Sequence, residues 1–155
     1  MTLRIGLHRS GGLVSRLIKW QTRSEYSHAS LVLPDDTVLE SIQGKGVVMG
    51  RKVYDAKERV DLFTVIASPS EQAEALAFAK DQVGKGYDYT MVARFVTRRS
   101  AGRSASGKWF CSELVFAAFK ESGVTLLRDT EAWEVSPELL SKSPYLIPAG
   151  IKRAA

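Results

Sequence analysis

The stretch from Ala29 to Met49 leaves the chain few ways to fold. Ala29-Ser30-Leu31-Val32-Leu33 ends on apolar, partly β-branched residues, and Pro34-Asp35-Asp36-Thr37 is a turn. Val38-Leu39-Glu40-Ser41-Ile42 then runs back, and Gly44-Lys45-Gly46 turns the chain once more into Val47-Val48-Met49. Segments this short, joined by turns this tight, have to lie antiparallel, because a parallel pair needs a long crossover. Leu3 to Leu7 predicts a further strand. Val60 to Ile66 predicts another, apolar on both faces towards its end as a covered strand is. Three or four antiparallel strands are therefore expected in the first half. Between the first of them and Tyr26, Leu13, Val14, Leu17, Ile18 and Trp20 recur at helical spacing after the break at Ser10-Gly11-Gly12.

The second half changes period. Ser68-Pro69-Ser70-Glu71 combines a capping serine, a proline in the first turn and an acid near the positive end of the dipole, and so predicts a helix running through Leu76, Phe78 and Ala79 to Val83. Gly84-Lys85-Gly86 stops it, and Tyr87-Asp88-Tyr89 leads into a second amphipathic stretch with Met91, Val92 and Phe95. Arg98 to Lys108 is small, polar and basic with no apolar anchor, which predicts a mobile loop. From Cys111 onward, Leu114, Val115, Ala118 and Phe119 form one apolar helical stripe that Gly123 ends. Val135-Ser136-Pro137-Glu138 is another helix start, and Tyr145-Leu146-Ile147 would return to the sheet edge. One domain is expected over residues 1–155.

A chain of 155 residues, 45% hydrophobic and 25% charged, is long enough to bury one core. No run approaches the roughly 20 apolar residues that cross a bilayer, so no transmembrane segment is expected. The single cysteine cannot form an internal disulfide, and the start Met1-Thr2-Leu3-Arg4 does not read as a signal peptide, so a cytoplasmic location is expected. The net charge of +5 favours anionic partners. Nucleic acid is not expected, because the cluster Arg94, Arg98, Arg99, Arg103 and Lys108 lacks the interleaved aromatics that would stack bases. The two Gly-Lys-Gly strings are too short for phosphate loops, and two distant histidines with one cysteine give no zinc-like spacing. No metal or cofactor is expected.

The reactive candidates are few. Cys111 falls at the first turn of its helix, where unpaired N–H groups and the helix dipole favour an anion such as a thiolate. His28 begins a strand between small residues, held rigidly enough to serve as a base, and Cys–His is a nucleophile and base arrangement. Glu40, on the returning strand, is the nearest acid to orient it, and the hairpin register decides whether it can. With an odd loop such as Pro34-Asp35-Asp36, Leu33 pairs with Thr37 and Glu40 opposes Ser30, on the face of His28. With the two-residue loop Asp35-Asp36, Glu40 turns away and Gln43 opposes His28.

The strings Tyr26-Ser27-His28-Ala29-Ser30-Leu31, Val38-Leu39-Glu40-Ser41 followed by Gly46-Val47, Tyr87-Asp88-Tyr89 and Phe110-Cys111-Ser112-Glu113-Leu114-Val115 resemble the circularly permuted papain-like enzymes of the YiiX type. That group is related to NlpC-type cell-wall peptidases and lecithin:retinol acyltransferases. The resemblance covers roughly residues 5 to 142 and implies an α+β, permuted papain-like fold, an antiparallel sheet packed against helices with the nucleophile at a helix N-terminus. It implies Cys111 as nucleophile, His28 as base and Glu40 as orienting residue. Tyr26 would assist oxyanion binding beside the backbone N–H of Cys111, with Tyr87 and Ser112 near the substrate. The activity so implied is a cysteine-dependent hydrolase of amidase or peptidase type, acting on a small-molecule, peptide or lipid substrate with an amide or ester. An acyltransferase on the same residues and a non-catalytic binding module are the alternatives. Exported relatives carry export signals, and none is read at this start, so a cytoplasmic or phage-encoded role is expected as much as wall remodelling.

Overall fold

A computed structural model describes residues 2–9, 25–52, 54, 57–97 and 107–153, the side chains of 94–97 excepted. The helix expected at Leu13–Trp20 and residues 98–106 of the basic loop lie outside them. Among the described residues, eight strands and four α-helices follow one another as β1 (Arg4–Arg9), β2 (His28–Val32), β3 (Thr37–Ile42), β4 (Gly46–Arg51), β5 (Arg59–Val65), α1 (Pro69–Asp81), β6 (Gly86–Tyr87), α2 (Tyr89–Thr97), β7 (Lys108–Trp109), α3 (Cys111–Glu121), α4 (Pro137–Ser141) and β8 (Leu146–Arg153). Six strands form one sheet in the order β4-β3-β2-β1-β5-β8, every pair antiparallel. The fold is mixed α+β.

The β2–β3 hairpin takes the odd loop. Val32 pairs with Val38, and the Leu33 N–H donates to Thr37 O at 2.9 Å, so Pro34, Asp35 and Asp36 form the loop. Asp36 closes it at φ 66°, a left-handed conformation that an Asp tolerates, and the Asp35 carboxylate accepts from the Thr37 N–H. Continuing the register sets Glu40 opposite Ser30.

The side-chain period of two then divides the sheet. Leu3, Ile5, Leu7, Ala29, Leu31 and Leu39 point into the main core, where Ala75, Leu76 and Ala79 of α1 and Leu114, Val115, Ala118 and Phe119 of α3 cover them. The opposite face carries His8, His28, Ser30 and Glu40 beside a smaller cluster of Val32, Val38, Val60 and Leu62. Helix α1 starts as its sequence predicts, with Ser68 Oγ accepting from the Glu71 N–H and the Glu71 carboxylate accepting from the Ser68 N–H.

Two local features differ from expectation. The strand at Tyr145–Ile147 continues to Arg153 as β8, an edge strand whose Pro148 and exposed residues suit a position with one unpaired side. Tyr87, expected where the chain leads into a helix, pairs in parallel with Trp109 across the two-stranded β6–β7 ribbon. The two Gly-Lys-Gly turns abut each other. Gly46, at φ 77°, lies so close to the Lys85 carbonyl that no Cβ would fit, and the Val47 N–H donates to that carbonyl at 2.8 Å. No described helix is long and apolar enough to cross a membrane.

Candidate active site

Three hydrogen bonds fix the chain just ahead of Cys111. Ser41 Oγ on β3 donates to Trp109 O at 2.7 Å, the Asp88 N–H donates to the same carbonyl at 3.0 Å, and Trp109 Nε1 donates to Gln82 Oε1 at 3.1 Å. Helix α3 begins at the next residue but one. The Glu113 carboxylate reaches back to accept from the Phe110 N–H at 3.1 Å, so Cys111 occupies the first helical position with the positive end of the dipole at its back. The sulfur is buried, 1% exposed, among Tyr87, Met91 and Phe110.

His28 bridges the sulfur and an acid. Its Nε2 lies 2.5 Å from Glu40 Oε2, and Cys111 stands close enough for its charge and a hydrogen bond to favour the protonated ring. Burial alone would push this imidazole down. The charge and hydrogen bond at Cys111 and the Glu40 carboxylate outweigh burial and raise it from 6.5 to about 9. Burial would likewise raise Glu40, but the hydrogen bond and charge of His28, then Lys52, hold it down at about 2. Imidazolium facing carboxylate is therefore the resting state of this pair at neutral pH.

A second pair stands beside the first. His8, opposite His28 in the β1–β2 register, places its ring edge-on at 4.8 Å. Its Nδ1 lies 2.6 Å from Glu58 Oε1 and its Nε2 lies 2.7 Å from Ser30 Oγ. Because Nδ1 faces a carboxylate, it carries the proton and Nε2 accepts from Ser30. Burial dominates here, above the hydrogen bond to Glu58, and pushes His8 down to about 4. Lys52 joins the two pairs, its Nζ 3.1 Å from Glu40 Oε2 and 3.2 Å from Glu58 Oε1.

The other expected residues divide. Tyr87 stands by the thiol, and burial followed by the charge at Cys111 raises its phenol far above the usual range. Tyr26 is turned to a different task. Its hydroxyl donates to Asp61 Oδ2 at 2.8 Å, with Arg9 stacked on its ring, so its one proton is not free for an oxyanion. Ser112 Oγ donates to Val135 O at 2.5 Å and ties α3 to the segment before α4. His8, Glu58 and Lys52 were missed in the sequence. His8 lies in a loosely patterned strand, and the other two sit in the irregular stretch between β4 and β5, where no periodicity marks a side chain's direction.

Folding also brings together what sequence spacing separates. Donor atoms of His8, His28 and Glu40 all lie within 4.8 Å of one another. They do not fit a metal ion as arranged. Glu40 Oε2 is taken by His28 and Lys52, His8 Nε2 by Ser30, and the Lys52 ammonium, 3.5 Å from His8 Nδ1, already supplies the positive charge that such a cluster attracts.

No family model matches the chain, and no curated protein matches it. Among solved structures it is similar to the metalloprotein YiiX of Escherichia coli O157:H7, DUF1105, with a TM-score of 0.72 at 17% identity over 99% of this chain and 98% of that one. The chain has a YiiX-like fold.

Proposed function

We propose that this chain is a cysteine-dependent hydrolase of the amidase or peptidase kind, on a permuted papain-like, NlpC-type framework. The observation that carries the reading is the His28–Glu40 pair at 2.5 Å with Cys111, on the first turn of a helix, close enough to favour the imidazolium.

The Cys111 sulfur attacks the carbonyl carbon of an amide or ester, and the carbonyl electron pair moves to oxygen. Backbone N–H groups at the start of α3, which have no acceptor within the helix, favour the resulting oxyanion. Collapse of the intermediate expels the amine or alcohol, which takes its proton from the His28 imidazolium, and leaves a thioester on Cys111. Water, deprotonated by His28, attacks the thioester and releases the acid and the thiolate. Glu40 keeps His28 oriented and balances its charge throughout, as the third member of such a line does. The proposal takes no step through a metal, in keeping with the donor set of this chain.

The test is labelling with a small electrophilic acyl probe, followed by mass mapping of the adduct. The expected result is one adduct at Cys111, lost in Cys111→Ala and slowed in His28→Gln. Labelling that spreads over lysines, or that survives Cys111→Ala, would overturn the reading.

A further inference from the structure

Lys52 belongs to none of the motifs that point to the site, yet its ammonium is the only described side-chain cation that touches both carboxylates there. We propose that Lys52 is a positioning residue of the Cys111–His28–Glu40 line, which it serves by bridging Glu40 to Glu58 and so anchoring the orienting acid to the His8–Glu58 pair behind it. The inference rests on the reading of that line as the reacting site.

The oxygen of Glu40 that Lys52 contacts at 3.1 Å is the same Oε2 that accepts from His28, and the oxygen of Glu58 it contacts at 3.2 Å is the same Oε1 that accepts from His8. One ammonium thus fixes the direction of both carboxylates through the atoms that hold the imidazoles. Glu40 is 3% exposed and the Glu58 side chain 10%, so neither charge is well hydrated. Two such carboxylates near each other raise each other's proton affinity unless a cation stands between them. The groups that face Glu40 are His28 from β2, His8 from β1, Lys52 and Tyr54 from the segment after β4, and Glu58 ahead of β5, with Lys45 and Arg51 along the rim of the same open face. Besides the His28 imidazolium, Lys52 alone among the described cations reaches the carboxylate by a direct contact. It is itself 21% exposed and lies over the Tyr54 ring at 5.8 Å, so it is held and still screened less than a surface lysine.

A purely structural lysine would change stability when removed. A positioning lysine changes the acid side of the reaction, because Glu40 can then take a proton at a pH where it was ionised, and a neutral Glu40 no longer balances imidazolium. The experiment compares wild type, Lys52→Met and Lys52→Arg. The rate of Cys111 alkylation by iodoacetamide is measured at pH 3 and pH 7.5, and the Glu40 carboxyl is titrated by carbon NMR in the same samples. Lys52→Met is expected to move the Glu40 midpoint up by about one unit from about 2, and so to lower the ratio of the pH 3 rate to the pH 7.5 rate by about twofold. Lys52→Arg is expected to restore both. An unchanged Glu40 midpoint in folded Lys52→Met overturns the proposal, as does an unchanged rate ratio in a protein whose wild type alkylates at pH 3. A wild-type Cys111 inert at both pH values, with the midpoint still moved, supports the Lys52 bridge and overturns the nucleophile reading instead. If Lys52→Met does not fold, Lys52→Gln, which keeps length and polarity without charge, carries the same comparison.

Discussion

His28 and His8 face each other across the same two strands, each hydrogen-bonded to a glutamate, and yet they end up on opposite sides of neutrality. His28 is raised to about 9 and His8 lowered to about 4, while their partners Glu40 and Glu58 are both held at about 2. The carboxylate is therefore not what separates them. Both rings are pushed down by burial. His28 has Cys111 beside it, which adds a charge and a hydrogen bond that favour the protonated form, whereas His8 faces the positive charges of His28 and Lys52 and accepts the Ser30 hydroxyl proton, all of which favour the neutral form. A histidine–carboxylate pair is a scaffold in both places. The neighbours of the ring decide whether it is poised for proton transfer or locked.

The strongest way to break that contrast is to remove each ring in turn. His28→Gln should lower acylation of Cys111 by about a hundredfold or more, the usual worth of a positioned base, with the fold retained. His8→Gln should change the rate by no more than a few fold and should instead cost about 1–3 kcal/mol of stability, because it leaves a buried hydrogen-bond partner unsatisfied. Single-turnover acylation and urea unfolding on both variants check this. If His8→Gln proves as slow as His28→Gln while still folded, the two pairs are not functionally distinct.

Stability against pH sharpens the same contrast through its sign. His28 holds its proton more tightly folded than unfolded, so its contribution is fully present below 6.5 and is lost as pH rises towards about 9. His8 behaves the other way. Its folded value of about 4 means that the unfolded chain binds more protons between 6.5 and 4, so stability falls as pH drops through that window. Glu40 and Glu58, lowered from 4.5 to about 2, add a further loss below 4.5. Each group contributes a slope of at most about 1.4 kcal/mol per pH unit. Urea midpoints should show His8→Gln flattening the decline between pH 6.5 and 5, above the carboxylate window, and His28→Gln flattening the decline between pH 7 and 9. Equal slopes in wild type and His8→Gln between 6.5 and 5 would mean that His8 is solvated.

The His28 pair was legible in the sequence and the His8 pair was not, for a physical reason. A hairpin transmits its register through hydrogen bonds, so a three-residue loop at Pro34-Asp35-Asp36 is enough to set Glu40 opposite Ser30 and on the face of His28. Likewise Ser68 and Ser136 announce α1 and α4, because a cap acts on residues two or three away. The contacts that were missed have no such local carrier. His8 meets Glu58 across 50 positions and Lys52 meets Glu40 from a segment without regular structure, so only the closed sheet brings them together. Tyr26 shows the converse. The resemblance implies a part in oxyanion binding for Tyr26, but the strand begins at His28, and ahead of it the tyrosine hydroxyl turns to Asp61 of β5 and to Arg9.

The smallest test concerns Ser30, the residue that distinguishes the surroundings of His8 most directly. Ser30 lies opposite Glu40 in the hairpin register and gives its hydroxyl proton to His8 Nε2 at 2.7 Å, which favours neutral imidazole with the proton on Nδ1. Ser30→Ala removes that donor and leaves the burial. The midpoint of His8 should therefore rise from about 4 while staying below 6.5, because desolvation, the larger cause, is untouched. Stability should fall by about 1 kcal/mol, the net worth of an ordinary hydrogen bond. Acylation at Cys111 should stay within twofold, since Ser30 touches neither the sulfur nor Glu40 through any hydrogen bond described here. Nitrogen NMR of the His8 ring follows both the midpoint and the tautomer. A midpoint that moves above 6.5 would show that the serine, more than burial, keeps His8 neutral. An unchanged midpoint would show the hydroxyl to be a passive neighbour, and burial alone would then account for the difference between the two pairs on the His8 side.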